Sequence, residues 1–232
     1  MYDLLFNIQH TLFTIADYPV SGLELWATLT GLICVVMARM NLRHNFTVGI
    51  VNCIGFAILL FQVQLYSDVL LQGFFILASI YGFVQWSKKD ANEVPITYLK
   101  MNEWRVSIIA TLVGTLTLAH FIDPIMNASG SLLVSDYTHI PAELAMRDAF
   151  TTCASIMAFA LMCQRKVEAW FYWCAVNVVC IFNYATQGVI VLAAEYAVFL
   201  INAIWALWAW HTTAHDNAIA QGKELEFMKE QI

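Results

Sequence analysis

The residues best suited to chemistry in this 232-residue sequence are polar and aromatic side chains that interrupt long apolar stretches. Burying such groups in a bilayer is unfavourable unless they meet partners or a wet cavity, so they are candidates for ligand binding. Trp173, Asn177 and Tyr184 are separated by four and seven residues and therefore share one helical face. Glu195 and Asn202, seven residues apart, share a face in the next stretch. These two faces predict a cavity lined by amides, aromatic rings and one carboxylate.

Three further residues extend this set of candidate binding residues, namely Trp170, Gln72 and Asn52. No Lys or Arg lies deep in any apolar stretch, so a phosphate group would have no charge partner. Glu195 among aromatic rings suits a flat cation through ion pairing and cation–π attraction, and the amides suit hydroxyl groups. The residues favour an unphosphorylated, partly aromatic, polyhydroxylated solute that could be cationic, although a neutral sugar would satisfy part of the pattern.

The same side chains also have a structural interpretation. Amides between membrane helices often form interhelical hydrogen bonds. Tryptophans near the ends of membrane spans usually belong to an interfacial belt, which is the role expected for Trp86, Trp104, Trp208 and Trp210. The six cysteines lie in apolar stretches without metal-ligand spacing and are expected to be buried structural thiols. No metal or cofactor is predicted.

The composition indicates that these residues are held by the helices of a membrane protein. The chain is 60% hydrophobic and 12% charged, with a mean hydropathy of +0.66, whereas soluble domains carry roughly 25% charged residues. It has no basic run that would suggest nucleic acid. Stretches of about 20 apolar residues predict transmembrane helices. Seven qualify, at 22–40, 46–64, 67–86, 104–122, 143–163, 168–187 and 190–210.

The N-terminal segment lacks the basic region and long apolar core of a cleavable signal. Apolar residues alternate there with polar ones, which predicts a short amphipathic helix over residues 1–19, lying in the membrane interface and ending near Pro19.

The basic residues orient the seven predicted spans. Ten of the eleven Lys and Arg residues fall in alternate connections or in the C-terminal tail, and only Arg147 falls on the opposite side. The positive-inside rule therefore places the N-terminus outside and the C-terminus in the cytoplasm.

The chain also contains an internal repeat. Residues 24–86 align with 148–210, at a displacement of 125 within the second predicted span and of 124 both beyond it and at the opening acidic residues, Glu24 and Asp148. Two three-helix units of like orientation need one helix between them, which predicts an all-α 3+1+3 architecture of two parallel bundles. The predicted divisions are a first bundle at 20–89, a linker with the fourth span at 90–142, a second bundle at 143–212 and a cytoplasmic tail at 213–232.

Several motifs resemble the PnuC family of nicotinamide riboside transporters. Leu65-Tyr66-Ser-Asp68 is similar to the family's LYaDa-like turn, and Ile80-Tyr81-Gly82-Phe-Val-Gln-Trp86 is similar to its iYGWyxW-like helix end, with Phe83 as a conservative difference. The pair Trp170-x-x-Trp173 followed by Asn177 resembles its WxxW signature. The segment from Asn45 to Gln62 also resembles the family, and the resemblance as a whole covers roughly residues 20–212.

The resemblance implies a homotrimer in a bacterial inner membrane that admits nicotinamide riboside by facilitated diffusion, drawn inward by a cytoplasmic riboside kinase. It also implies a plan similar to the SWEET sugar transporters, with the helix order in each bundle differing from the sequence order. Trp173, with Trp170 or Tyr184, is then expected to contact the pyridinium ring. Asn177, Asn202, Gln72 and Asn52 are expected to bind the carboxamide and ribose, with Glu195 offsetting the charge.

Alternative functions remain open from the sequence. Thiamine, another flat cation, is carried by related transporters, although the WxxW pair favours the riboside. A receptor or structural protein without flux is the main alternative of another class. The sequence lacks the buried relay expected of a proton pump, a lysine for retinal in the last span, and recognisable catalytic motifs of a membrane enzyme.

Overall fold

Seven α-helices follow a β-hairpin in the described part of this computed structural model. The strands are β1 (Thr11–Ile15) and β2 (Tyr18–Ser21). The helices are α1 (Gly22–Arg39), α2 (Asn45–Gln62), α3 (Tyr66–Lys88), α4 (Met101–Leu133), α5 (Ala145–Cys163), α6 (Ala169–Thr186) and α7 (Ile190–Glu230). The structure describes residues 7, 10–15, 18–62, 66–88, 95–133, 145–186, 188 and 190–230.

The predicted amphipathic helix over residues 1–19 is wrong where the structure describes that segment. Residues 11–15 pair antiparallel with 18–21, and the rest of the segment lies outside the described residues apart from 7 and 10. Threonine, phenylalanine and isoleucine favour strands, and Tyr18 is disfavoured in a helix because it precedes a proline. Ser21 then begins α1, because its Oγ accepts from Glu24 N at 3.2 Å while its own N–H donates to Glu24 Oε2 at 2.8 Å.

Six of the described helices are long and apolar enough to cross a membrane, so the chain is a multi-pass membrane protein. The helix α6 falls outside this set because two asparagines and several Trp and Tyr residues lower its hydropathy. The predicted spans match the helices, but two helices are longer than predicted. The helix α4 continues through Pro124 to Leu133, and α7 continues to Glu230 through most of the predicted tail.

Six helices form a closed ring. Each helix contacts the next in the order α1, α2, α3, α5, α6, α7, and α7 in turn contacts α1. The helix α4 lies outside this ring and packs against α5 and, to a lesser extent, α3. The expectation of a permuted helix order within each bundle is therefore wrong, since α2 lies between α1 and α3, and α6 between α5 and α7. Connections as short as residues 40–44 and 63–65 join neighbouring antiparallel helices, which explains this order.

The helix boundaries give the repeat one displacement of 124 residues. The helices α2 and α6 both begin and end 124 residues apart, and α1 and α5 end 124 residues apart. The displacement of 125 predicted for the second span is therefore wrong. Asn52 is equivalent to Val176, and Asn177 is equivalent to Cys53. The shared Val-Asn dipeptide favoured the wrong register, and an error of one residue turns a helix by about 100°.

The helices α2 and α3 pack tightly at Gly82. A Cβ added there would lie 2.6 Å from Phe46 Cζ and 2.9 Å from Cys163 Sγ. Phe46 is buried, and its ring packs edge-on against Trp86 at 4.9 Å between centroids. The position therefore requires a residue without a side chain, and it brings α2, α3 and the end of α5 together.

Candidate functional site

Two polar residues of α7 contact α1, the neighbouring helix in the ring. Thr28 Oγ1 donates to Glu195 Oε2 at 3.3 Å, and Asn202 Nδ2 donates to the Val35 carbonyl at 3.2 Å. The spacing of Glu195 and Asn202 did place them on one helical face, as predicted. Both currently serve the α1–α7 contact, which agrees with the structural interpretation of membrane amides.

Asn202 nevertheless retains unused hydrogen-bonding capacity. The residue is 8% exposed, and its Oδ1 has no hydrogen-bond partner among the described residues. Buried polar atoms almost always find partners, so an orphan acceptor of this kind points to water or a ligand donor. A carboxamide N–H or a sugar hydroxyl would satisfy it.

Asn52 is largely committed to α1. Its Nδ2 donates to the Ala27 carbonyl at 2.7 Å and to Thr30 Oγ1 at 2.9 Å. These bonds use both amide hydrogens, so the side chain can offer a ligand only its oxygen. A Cβ added at Gly31 would lie 3.4 Å from Asn52 Nδ2 and 3.6 Å from Phe199, so α2 and α7 converge on this glycine.

An aromatic series runs along α6 and α7. Tyr184 stacks on Tyr196 with centroids 5.3 Å apart and planes 23° from parallel, and Tyr196 meets Phe199 edge-on at 5.8 Å. Tyr196 and Phe199 were not predicted. The sequence signal was available, because Phe199 follows Glu195 by four residues and precedes Asn202 by three. The series ends beside Gly31 and Asn52.

The two tryptophans of the WxxW pair differ in burial, although both pack in the same apolar core. Trp173 is half-buried and packs against the main apolar core, and Asn177, one turn further, is 5% exposed. The Asn177 amide makes no hydrogen bond in the part of the chain that the structure describes. Trp170 is instead packed edge-on against Trp210 at 5.5 Å, and its Nε1 has no partner among the described residues.

Gln72 and two cavities of the structure are not connected to the other candidate binding residues. Gln72 is half-buried on α3, and no hydrogen bond between described residues joins it to the other seven candidates. A cavity of about 230 Å³ lies between α3 and α5, lined by Phe74, Tyr81, Phe159 and their neighbours, and a shallow groove of about 530 Å³ follows α4 near Pro124. None of the eight candidates lines either of these two spaces.

The arginines of the ring lie near helix ends and are engaged there. Arg39 stands 3.8 Å over the Trp205 ring, and Arg165 stands 4.4 Å over the Trp86 ring. Arg147 lies 4.8 Å over Phe182 and donates to Asn183 Oδ1 at 3.3 Å. Among the described residues, none of these three arginines is hydrogen-bonded to Asn202. Asn183 is a buried amide that the sequence analysis missed.

Two tryptophans depart from the expected interfacial belt. Trp86 is 3% exposed and Trp210 is 1% exposed, so both belong to the core, whereas Trp208 is 66% exposed as expected of a belt residue. Among the described residues no group of three or more His, Cys, Asp or Glu side chains could hold a metal ion.

Comparisons with known proteins agree with this architecture. A family model described as "Nicotinamide mononucleotide transporter" matches residues 21–212. The nicotinamide riboside transporter PnuC of Escherichia coli K12 is 30% identical, covering 91% of this chain and 95% of its own length. The PnuC of Haemophilus influenzae is 26% identical, covering 83% and 80%. A structure described as the vitamin B3 transporter PnuC superposes with a TM-score of 0.64 at 24% identity, covering 84% of this chain and 82% of that one, which supports the fold.

Proposed function

Because this chain belongs to the PnuC family of transporters, we propose that it carries nicotinamide riboside across a bacterial inner membrane by facilitated diffusion. The predicted family resemblance is confirmed. The family consists of transporters, which removes the enzyme alternative.

The orphan acceptor of Asn202 is the observation that carries the choice of cargo. A buried Oδ1 that has no partner among the described residues, on the same helical face as Glu195, fits a solute that brings hydrogen-bond donors and a cationic ring. The family description names a mononucleotide, whereas the curated relatives are named for the riboside. The riboside fits better, since a phosphate would need cations and the described arginines are engaged at helix ends.

The proposed roles follow from what each side chain has left to offer. One of Trp173 and Tyr184 contacts the pyridinium ring, because eleven residues separate them by about 16 Å along α6, and Glu195 offsets the charge of that ring. Asn177 and Asn202 bind the carboxamide or ribose through unused amide atoms, and Asn52 contributes only its oxygen. Gln72 completes the site from α3, while Trp170 closes it at the end where Trp210 lies.

The ring supports a 3+1+3 arrangement of seven membrane-spanning helices. A rotation that exchanges the two bundles converts the α1–α7 contact into the α5–α3 contact, and both contacts exist. Parallel repeats of this kind are related by an axis along the membrane normal. The bias of the basic residues places the N-terminus outside and the C-terminus in the cytoplasm.

The assembly and driving force are proposed from the family resemblance. A homotrimer with one pathway in each protomer is expected, and native mass spectrometry of the purified protein tests it. Flux inward is expected to continue only while a cytoplasmic kinase phosphorylates the riboside, because facilitated diffusion otherwise stops at equal concentrations.

Reconstituted liposomes test the function directly. Parent protein in empty liposomes should admit radiolabelled nicotinamide riboside, and unlabelled riboside should compete better than thiamine or the mononucleotide. Stronger competition by thiamine would reassign the cargo. Tight binding without any flux would favour a receptor over a transporter.

A further inference from the structure

Two tryptophans join the two bundles through a pair of crossed hydrogen bonds. Trp86, near the end of α3, donates from Nε1 to the Cys163 carbonyl at 3.0 Å. Trp210, on α7, donates from Nε1 to the Arg39 carbonyl at 2.9 Å. The acceptors are the last residues of α5 and α1, where helical carbonyls lack partners within the helix. Each bundle therefore caps a helix end of the other bundle.

The crossed bonds are related by the repeat. Trp86 and Trp210 are 124 residues apart, as are their acceptors, and their rings lie 6.3 Å apart between centroids. Two equivalent groups in contact must lie beside the axis that relates them. The tryptophans therefore lie on the pseudo-two-fold axis of the ring, at the end where α1 and α5 finish.

A second equivalent pair lies beside the tryptophans. Asn41 and Arg165 both adopt a φ of 55°, the left-handed conformation that ends a helix. The Arg165 Nε donates to Asn41 Oδ1 at 3.1 Å. The Arg165 guanidinium also covers the Trp86 ring, and burial lowers the pKa of this arginine. The side chain is 3% exposed, although arginine rarely takes this backbone conformation.

Packing around the tryptophan pair follows the same symmetry. Phe46 meets Trp86 edge-on at 4.9 Å and 83°, and its equivalent Trp170 meets Trp210 edge-on at 5.5 Å and 83°. With all four rings buried, this end of the ring is closed on its axis. We define the tryptophan latch as Trp86, Trp210, Asn41, Arg165 and the carbonyls of Arg39 and Cys163.

We propose that the tryptophan latch is the cytoplasmic gate, and that its crossed hydrogen bonds must break for cargo to leave the ring. The proposal rests on the proposed function for the cargo and on the proposed orientation for the side. A passage between two bundles follows the axis that relates them, and the latch occupies that axis. Its bonds connect the bundles to each other, so it resists their separation at this end.

Thiol labelling tests the latch without any cargo. The double variant Trp86→Phe/Trp210→Phe keeps an aromatic ring at each position and removes both N–H donors. Cys163, buried at 7% exposure, should then react with N-ethylmaleimide about tenfold faster than in the parent. The control Trp208→Phe alters a tryptophan at the lipid-facing surface of α7 and should react at the parent rate. Peptide mass spectrometry identifies the labelled cysteine, and equal rates in all three proteins overturn the proposal.

A reversible cross-link provides a second test that does not depend on the tryptophan variants folding. Asn41→Cys with Arg165→Cys, oxidised to a disulfide or bridged by a short bis-methanethiosulfonate, which forms a disulfide with each thiol and releases sulfinate, should bind riboside from outside within about twofold of the parent. Flux should fall to background and return on reduction. A matched pair, Tyr98→Cys with His211→Cys, joins hydrogen-bonded groups of the linker and the second bundle, so it does not fasten one bundle to the other and should transport normally when cross-linked.

The two proposals fail in different ways. Absence of riboside flux in the parent contradicts the proposed function, and the labelling rates of Cys163 still decide the latch. Normal flux through the cross-linked Asn41–Arg165 pair overturns the latch and leaves the proposed function standing.

Discussion

Replacing Asn202 with alanine should weaken cargo binding without weakening the fold. The substitution removes the Oδ1 acceptor that has no partner among the described residues. A net hydrogen bond contributes about 1–1.5 kcal/mol, which corresponds to about a 5- to 12-fold loss of affinity for nicotinamide riboside. The variant also loses the bond from Nδ2 to the Val35 carbonyl. Removing a buried orphan atom offsets that loss, so the free energy of unfolding should change by less than about 1 kcal/mol.

Isothermal titration and thermal unfolding separate the two effects. Asn217 is the matched control, because it lies on the same helix and its Nδ2 also donates to a backbone carbonyl, that of Ile96, at 3.2 Å. Asn217→Ala should retain the parent affinity. If Asn202→Ala binds the riboside within twofold of the parent, its oxygen faces no ligand and the site is misplaced.

Three further predictions follow from other contacts. Gly82→Ala should lower the free energy of unfolding by about 1–3 kcal/mol in chemical denaturation, because its Cβ meets buried neighbours, while Gly73→Ala, with nothing within 4 Å, should change it by less than 1 kcal/mol. Glu195→Gln should weaken binding of the cationic riboside by about fivefold and leave its neutral dihydro form unaffected in competition assays; equal losses would contradict a charge role. Tyr18 donates to Glu24 Oε1 at 2.7 Å, which raises the pKa of Tyr18 to about 12. Because the folded pKa exceeds the unfolded value of 10.0, this stabilisation is present below pH 10 and lost as the pH rises towards 12. Unfolding of Tyr18→Phe followed across that range should lack this loss.

Hydropathy predicted the membrane helices well because long apolar runs have few alternatives in a bilayer. The helix boundaries were harder to predict. The helix α7 extends to Glu230 since its residues beyond Trp210 favour helix, and no glycine or proline ends the helix at the membrane surface. The hairpin at residues 11–21 was missed because a short apolar–polar mixture carries both helical and strand periodicity.

The sequence predicted which candidate binding residues share a helical face, but it did not predict their hydrogen-bond partners. Spacing identifies residues on one side of a helix, so Glu195 and Asn202 were correctly grouped. Spacing cannot show that both amide hydrogens of Asn52 are donated to α1, because those bonds depend on which helix packs beside Asn52. Trp86 and Trp210 were assigned to the interface because they lie near span ends, but their crossed hydrogen bonds depend on the pairing of the two bundles.

The two bundles meet at two joints, α1 with α7 and α3 with α5, and α4 packs at the second joint only. The joint between α1 and α7 is fastened by side-chain bonds from Thr28, Asn202 and Trp210. The joint between α3 and α5 has the equivalent bond from Trp86 to the Cys163 carbonyl, and it is also bridged from outside by α4, which contacts both helices. We therefore expect the two bundles to separate at the α1–α7 joint by a hinge rotation about the side that α4 covers, rather than by sliding past each other. Spin labels across α1 and α7 should therefore show larger cargo-dependent distance changes than labels across α3 and α5.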